Sequence, residues 1–484
     1  MSKQDKKELR QQIACEWLEE NYLNYGSLRH DIVTDRLQIK AYKPTPCPSL
    51  KGREEGDGLL AIGNRQETWR NLTDKDINTM VCQSVAEKGV NISTNEMWTA
   101  LKSDMVPAVH PLRAWLDGLR PYTADQPDWI DLVAQKVTVK PSLLSDDRPK
   151  GLLDRTSCCE TTALRDRTEG AERPMESLSE ACERSKAERL WRGCFKKWFV
   201  AMVASWMKDE VVNHTVLVLV GRQGIFKTTW LDKLIPPELR AYSSKLPLSG
   251  QISKDDRLRL CENGMLNIDE LDAMCGREMN IVKSLLTSTD VNERAAYGRL
   301  KERRVRLASF CASTNKREFL TDITGNRRWL PFEVESIQNP FHTIIPYERL
   351  YAQAKALVEE GIFSYWFDME EMEVLEAHNE EFRALENEEQ LLPILFDIPA
   401  EGKGEFMTTA EISDRLVSHG GIKKPMSTRQ LGVIMGKMGF QKAQVRISGT
   451  CVRGWIVYKR DQDEITSAKR IGASDALMQR CDTY

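Results

Sequence analysis

The residues best equipped for chemistry stand in the middle of the chain, in Val216-Leu-Val-Leu-Val-Gly-Arg-Gln-Gly-Ile-Phe-Lys-Thr-Thr-Trp230. An apolar run followed by glycines, a lysine and hydroxyl residues reads as a strand, a tight loop and a helix start. In such a loop the backbone N–H groups turn inward around phosphates, and the positive end of the following helix faces them. A lysine then reaches the β- and γ-phosphates and a hydroxyl holds Mg²⁺. Here Gly221 and Gly224 supply the flexible backbone, Lys227 the cation and Thr228 the hydroxyl, with Thr229 beside them in the nucleotide-binding set. The pattern G-x-x-x-x-G-K-[ST] asks for glycine where this chain has Phe226, so that side chain must point away from the phosphates or distort the loop. Taken alone, a strand–turn–helix with a chance lysine would account for the stretch.

About forty residues on, Met265-Leu-Asn-Ile-Asp-Glu270 is a second apolar run, and it ends in two carboxylates. Asp269 at the end of a buried strand can hold Mg²⁺ through water, and Glu270 can orient and polarise an attacking water. An acidic pair capping a helix is the plainer reading, but it does not explain the spacing after the loop. A third β-prone run, Val305–Asn315, ends in the polar Asn315. In P-loop ATPases with an additional strand, that position lies between the catalytic carboxylate and the γ-phosphate. Asp322-Ile-Thr-Gly-Asn-Arg-Arg-Trp329 then presents Arg327 and Arg328. Either guanidinium could fork onto phosphate oxygens from a neighbouring subunit, or both could be solvated on a surface turn. The expected cofactors are ATP and Mg²⁺.

Four segments resemble the virulence-associated E (VapE) family of phages and mobile genetic elements, P-loop ATPases similar to superfamily 3 replicative helicases. They are GRQGIFKTTW (221–230), NIDELD (267–272), VNERAAYGR (291–299) and ASTNKREFLTDITGNRRWLPF (312–332). The last is long and idiosyncratic, and the resemblance covers roughly residues 190–400. It implies that Asn315 senses the γ-phosphate and that Arg327 or Arg328 is the finger. It also implies that an aromatic residue before the loop lysine is tolerated.

With 484 residues, two or three domains are expected. No apolar run is long enough for a membrane span and the charged N-terminus carries no signal-peptide pattern, so a cytoplasmic location is expected. The twelve cysteines show no CxxC pairs and the six histidines are not spaced with them, so neither a zinc site nor a disulfide framework is indicated. The net charge of −3 conceals polarity along the chain. From Arg294 to Arg306 there are six basic residues and one acidic, and from Met407 to Arg460 ten basic and two acidic. Local basic surfaces of this kind suit nucleic acid.

The expected fold class is an α/β P-loop NTPase core, AAA+ or superfamily 3 helicase-like, with an N-terminal helical domain and a C-terminal winged helix. Residues 1–67 read as a partly ordered segment with one helix, 68–139 as a small helical domain with caps at Thr73 and Ser93, and 140–184 as a linker or insert. The ATPase core is expected over 185–365, with the aromatic helix near Glu188–Met207 packed on its sheet. An acidic connector follows over 366–405, then the winged helix over 406–460 and a tail over 461–484. Capped helices starting at Thr408 and Ser427, and strands Gln444–Ile447 and Gly454–Lys459, outline the winged helix. In it Arg429 and Gln430 would reach bases, with Lys423, Lys424, Arg446 and Arg453 on phosphates. Winged helices also serve as protein-interaction modules.

Superfamily 3 proteins place a pore-lining hairpin between the carboxylates and Asn315. Here that segment carries Arg294, Tyr297, Arg299, Lys301, Arg303 and Arg304, and alternation suggests that Arg304 and Arg306 project from one strand face. These residues could track a DNA backbone, or Arg294 and Arg299 could serve the ATP site of an adjacent subunit. The leading expectation is a DNA helicase or translocase, a homo-oligomer and specifically a hexamer. It would act in replication of a mobile element, with single-stranded DNA in its pore, duplex at the winged helix and a separate primase. The rival is a nucleotide-dependent DNA-binding switch in regulation or phage defence, without unwinding.

Overall fold

The computed structural model describes residues 3–43, 66–141, 178–246, 253–269, 271, 276–293, 302–320, 326–384, 387–399, 404–420, 422, 425–447, 450–461 and 464–466. The chain divides into two compact units, Met1–Arg317 with Arg328–Val374, and Glu318–Arg327 with Leu375–Tyr484. Among the described residues no helix is long and apolar enough to cross a membrane.

The first unit opens with helix Lys3–Leu18 and a four-stranded sheet. Its strands are β1 (Leu28–Asp31), β2 (Arg36–Lys43), β3 (Gln66–Asn71) and β4 (Ala108–Val109), in the order β3-β2-β1-β4. Helices Asp74–Lys88 and Thr94–Leu101 start where their caps predict. Thr73 with Asp76, and Ser93 with Glu96, form reciprocal capping boxes that satisfy otherwise orphaned N–H groups. Trp17, Leu28, Ile77, Met80 and Met97 are buried together in one apolar core. The N-terminal region is therefore mixed α/β and not solely helical. The alternation of Arg36, Gln38 and Lys40 with Leu37, Ile39 and Ala41 is the period-two pattern of a half-buried strand, a signal absent from the helical reading of this region.

The central sheet has six strands: β5 (Val137–Val139), β6 (Val216–Val220), β7 (Ser243–Lys245), β8 (Met265–Ile268), β11 (Ser309–Thr314) and β12 (Trp329–Ile337). Between β8 and β11 in the chain lie β9 (Asp290–Glu293) and β10 (Glu302–Val305), a separate antiparallel pair. The order in the sheet is β5-β12-β6-β11-β8-β7, parallel throughout except for the antiparallel edge strand β5. Strands β6, β8 and β11 are buried at every position, as expected for a parallel sheet covered on both faces. Residues Val137–Val139, read from sequence as the end of the helical domain, are thus an edge of this sheet.

Helix Leu178–Met207 covers one face. Its Trp198 indole donates to the Phe310 carbonyl of β11 at 3.0 Å, and Trp191 packs edge-on against Phe332 of β12. The aromatic stripe Trp191, Phe195, Trp198, Phe199 and Met202 is wholly buried, which is the packing role its spacing predicts. The N-terminal sheet is latched to the central one by Asp31, which is fully buried. It accepts from the Tyr242 hydroxyl at 2.8 Å, one residue before β7.

In the second unit β16 (Thr450–Lys459) is the centre, pairing antiparallel with β13 (Phe396–Asp397), β14 (Glu405–Met407) and β15 (Gln441–Ile447). Helices Asn387–Leu395, Thr409–Gly420 and Thr428–Lys437 share its apolar core through Leu392, Leu395, Ile412, Leu416, Leu431 and Trp455. The helix Asn387–Leu395 and β13 fall within the stretch assigned from sequence to an acidic connector. The packed unit accordingly begins ahead of residue 406, because Leu392 and Leu395 need this core to be buried. β14 crosses so near to β16 that a Cβ at Gly454 would strike the Met407 carbonyl and the Phe406 ring, so only glycine fits there. Arg383, 9% exposed, is held in a bidentate pair by buried Glu389.

Candidate functional site

The parallel strands end together at one edge of the sheet, and the chemically capable residues stand at those ends. After β6 the chain turns at Gly221 (φ +152°) and Gly224 (φ +88°) before helix Lys227–Asp232. A Cβ at Gly221 would meet the Val334 carbonyl of β12 at 2.9 Å, so the loop is pressed against its neighbouring strand. Phe226 has φ +67° and ψ +18°, a left-handed conformation that costs a residue with a Cβ about 1–2 kcal/mol. The backbone keeps the shape that glycine would adopt, and the ring leaves the loop to meet Phe341 edge-on at 6.2 Å.

Lys227 is 6% exposed, and its ammonium donates to the carbonyls of Gly221 at 2.6 Å and Arg222 at 2.7 Å. It also donates to Asn315 Oδ1 at 3.0 Å. Asn315 follows β11, which lies between β6 and β8, so the sheet order brings the loop lysine, the polar strand end and the carboxylate together. Thr228 Oγ1 lies 3.2 Å from Asp269 Oδ1 and 2.9 Å from Ser313 Oγ, and Ser313 donates to the same carboxylate oxygen at 3.2 Å. Lys245, at the end of β7, donates to Asp269 Oδ2 at 2.6 Å. Burial raises the Asp269 pKa, but the hydrogen bond and charge of Lys245 and the two hydroxyls outweigh it, so the group lies below its ordinary value. Thr228, Thr229, Asp269, Ser313 and Asn315 line one open cleft of 320 Å³ with the glycine loop. The donor set fits Mg²⁺: a carboxylate and two hydroxyls, all hard oxygens, converge beside a lysine able to hold phosphate.

Ser313 and Lys245 are absent from the set drawn from sequence. Ser313 was visible in principle, since it lies two residues before Asn315 and strand side chains two apart share a face. Lys245 carries no local signal, for only the parallel pairing of β7 with β8 brings it to Asp269. Glu270 lies outside the described residues, as do Arg294, Arg299, Lys301, Lys423 and Lys424. In the turn Asn326–Arg328, Arg327 is exposed and belongs to the second unit, whereas Arg328 is half-buried and belongs to the first.

The expectation that Arg304 and Arg306 project together to meet nucleic acid is not met. Arg304, with a side chain 14% exposed, is ion-paired with Asp35 at 3.3 Å and Glu262 at 4.0 Å. Arg306 is fully buried and spends its guanidinium on backbone carbonyls. Adjacent acidic residues and helix ends inside the unit attract these cations first. Among the described residues of the hairpin, Arg303 remains exposed, and it is ion-paired with Asp290.

In the second unit Arg429, Arg446 and Arg453 are exposed. The pairing Gln444 with Arg453 and Arg446 with Cys451 puts both arginines on the same face of the hairpin. Gln430 is exposed, but its Oε1 accepts from the Ser427 N–H at 3.2 Å and hydroxyl at 2.8 Å, so it acts first as a helix cap. The strands Gln441–Ile447 and Thr450–Lys459 are both longer than the sequence pattern predicts.

A comparison with curated proteins gives no match. Among solved structures, the apo structure of the NrS-1 C-terminal region (305–718) is similar at 12% identity, over 90% of this chain and 97% of that one, with a TM-score of 0.37. An A form of the same region gives 11% identity, over 91% and 99%, with a TM-score of 0.39. Scores this low say nothing about chemistry. The family described as virulence-associated protein E-like domain matches residues 165–384, which span the glycine loop, Asp269, Asn315 and both arginines of the Asn326–Arg328 turn. Residues 165–384 of this chain are thus similar to the virulence-associated protein E-like domain.

Proposed function

We propose that the chain is a P-loop ATPase of the AAA+ or superfamily 3 helicase type that hydrolyses Mg·ATP and acts on DNA in replication of a phage or mobile element. The observation that carries this is the convergence of Lys227, Thr228, Asp269 and Asn315 in one cleft, made possible by β11 lying between β6 and β8. Lys227, with the loop N–H groups, binds the β- and γ-phosphates, and Thr228 and Asp269 hold Mg²⁺. Asn315 positions the terminal phosphate. Glu270 is assigned to orienting the attacking water. An exposed Arg327 suits the role of a finger reaching a neighbouring subunit of a hexamer. The C-terminal arrangement of three helices and a β15–β16 hairpin is read as a winged helix, with Arg429, Arg446 and Arg453 facing nucleic acid.

Lys245 competes with Mg²⁺ for Asp269. Both side chains are partly solvated, so the effect is modest. Lys245→Ala should lower the Mg²⁺ concentration for half-maximal ATP hydrolysis about threefold. A requirement that rises in the variant would instead make Lys245 a helper of the site.

The second reading is a nucleotide-dependent switch. The pairing of Arg304 with Asp35 favours it, because it spends a cation of the basic segment on the loop between β1 and β2. ATP turnover with and without single-stranded DNA separates the two. Several-fold stimulation supports a motor, and turnover indifferent to DNA supports the switch.

A further inference from the structure

The strand order gives the cleft a direction. Asp269 and Asn315, at the ends of β8 and β11, lie on one side of the glycine loop, and β12 lies on the other. A nucleotide with its terminal phosphate between Lys227, Asn315 and Asp269 must therefore send its sugar and base toward the β12 side. On that side stands an aromatic pair that packing does not explain. Phe226 lines the phosphate cleft and meets Phe341 with ring planes at 78°. Phe341, four residues beyond the end of β12, is 68% exposed.

Its surroundings are built to hold that exposed ring in place. Lys233 lies over Phe341 at 4.4 Å from the ring centre and donates to the Pro340 carbonyl at 2.5 Å. Asn339 fixes the backbone by accepting from the N–H of Phe341 at 2.9 Å, while its carbonyl accepts from those of His342 and Thr343 at 3.1 Å. Tyr347 donates to the Lys233 carbonyl at 2.7 Å, tying the next helix to the same point.

We propose that Phe341, backed by Phe226 and Lys233, is the stacking platform for the nucleobase of the bound triphosphate. The inference rests on the reading of the glycine loop as a phosphate site and deepens it by naming where the base goes. A flat aromatic face accepts any base and favours the larger purine ring system, so the site should bind ATP and GTP comparably and CTP and UTP more weakly. Phe226 thereby acquires a use in keeping its strained position, as the apolar wall joining the phosphate cleft to the platform.

The test is equilibrium binding of ATP and of inorganic tripolyphosphate to full-length wild type, Phe341→Ala, Phe341→Trp and Lys227→Ala. The expected result is an ATP affinity about tenfold weaker in Phe341→Ala, with tripolyphosphate binding unchanged and ATP binding kept in Phe341→Trp. Because Phe341 is largely exposed, its replacement should leave the melting temperature unchanged. Equal ATP affinity in wild type and Phe341→Ala, or an equal loss for both ligands, overturns the platform. Unaltered ATP binding in Lys227→Ala would overturn the phosphate-site reading itself, a separate failure.

Discussion

Replacing Arg306 by alanine should unfold or severely destabilise the first unit, lowering its melting temperature by roughly 10 °C. The side chain sits at the junction of three segments. Its Nε donates to the Ala308 carbonyl at 3.1 Å, and Nη1 to Leu285 at 3.1 Å, Leu286 at 2.8 Å and Ser288 at 3.3 Å. Nη2 donates to Asn213 at 2.7 Å, just ahead of β6. Leu285 and Leu286 belong to the last turn of helix Gly276–Thr287, where carbonyls lack helical partners and the dipole favours a cation. Burial pulls the Arg306 pKa down to about 9, so the group is still cationic at neutral pH. Removing it leaves a cavity and several buried carbonyls without donors. Each such group costs about 1–3 kcal/mol, and a total of about 4 kcal/mol is a conservative sum. An ammonium cannot reach carbonyls in so many directions, so Arg306→Lys should fall between wild type and alanine. Melting of Arg306→Ala within about 2 °C of wild type would show that water replaces the guanidinium at little cost.

Asn315→Ala should reduce the turnover of ATP by about 10²–10³ while leaving ATP affinity within about threefold of wild type. The reason lies in the division of labour at the cleft. In the proposed ATPase, Lys227 and the loop backbone hold phosphate whether or not the reaction proceeds, whereas Asn315, at the end of β11, faces the terminal phosphate as it changes geometry. Its Oδ1 accepts from Lys227 at 3.0 Å, so it also aims the ammonium. An interaction that matters mainly in the transition state lowers kcat without a matching change in binding. Turnover within a few-fold of wild type would remove Asn315 from the reaction. Affinity falling in step with turnover would make it a ground-state binding residue.

The parts of the structure legible from sequence are those set by local chemistry. Thr73, Ser93, Thr408 and Ser427 each cap a helix with a partner three residues on, a signal contained in four residues. The all-apolar run of β6 and the largely apolar run of β8 announced strands buried on both faces. What needed the fold was the pairing of strands distant in the chain. Lys245 meets Asp269 only because β7 lies beside β8, and Val137–Val139 joins the central sheet only because β12 is free on that edge. Charge misled where burial decided. Arg304 and Arg306 belong to a basic run in sequence, yet inside the unit one finds acidic partners and the other a helix end. Gln430 misled in the opposite sense, since its place near a helix start suggested base reading, whereas Ser427 recruits it as a cap.

The most direct test of the account is steady-state phosphate release from Mg·ATP by the purified full-length chain, measured beside Lys227→Ala. Turnover is expected in the wild type and none above background in the variant, with both melting alike. Equal turnover by the two proteins, or a folded wild type that releases no phosphate, would contradict the assignment of this cleft as an ATPase site.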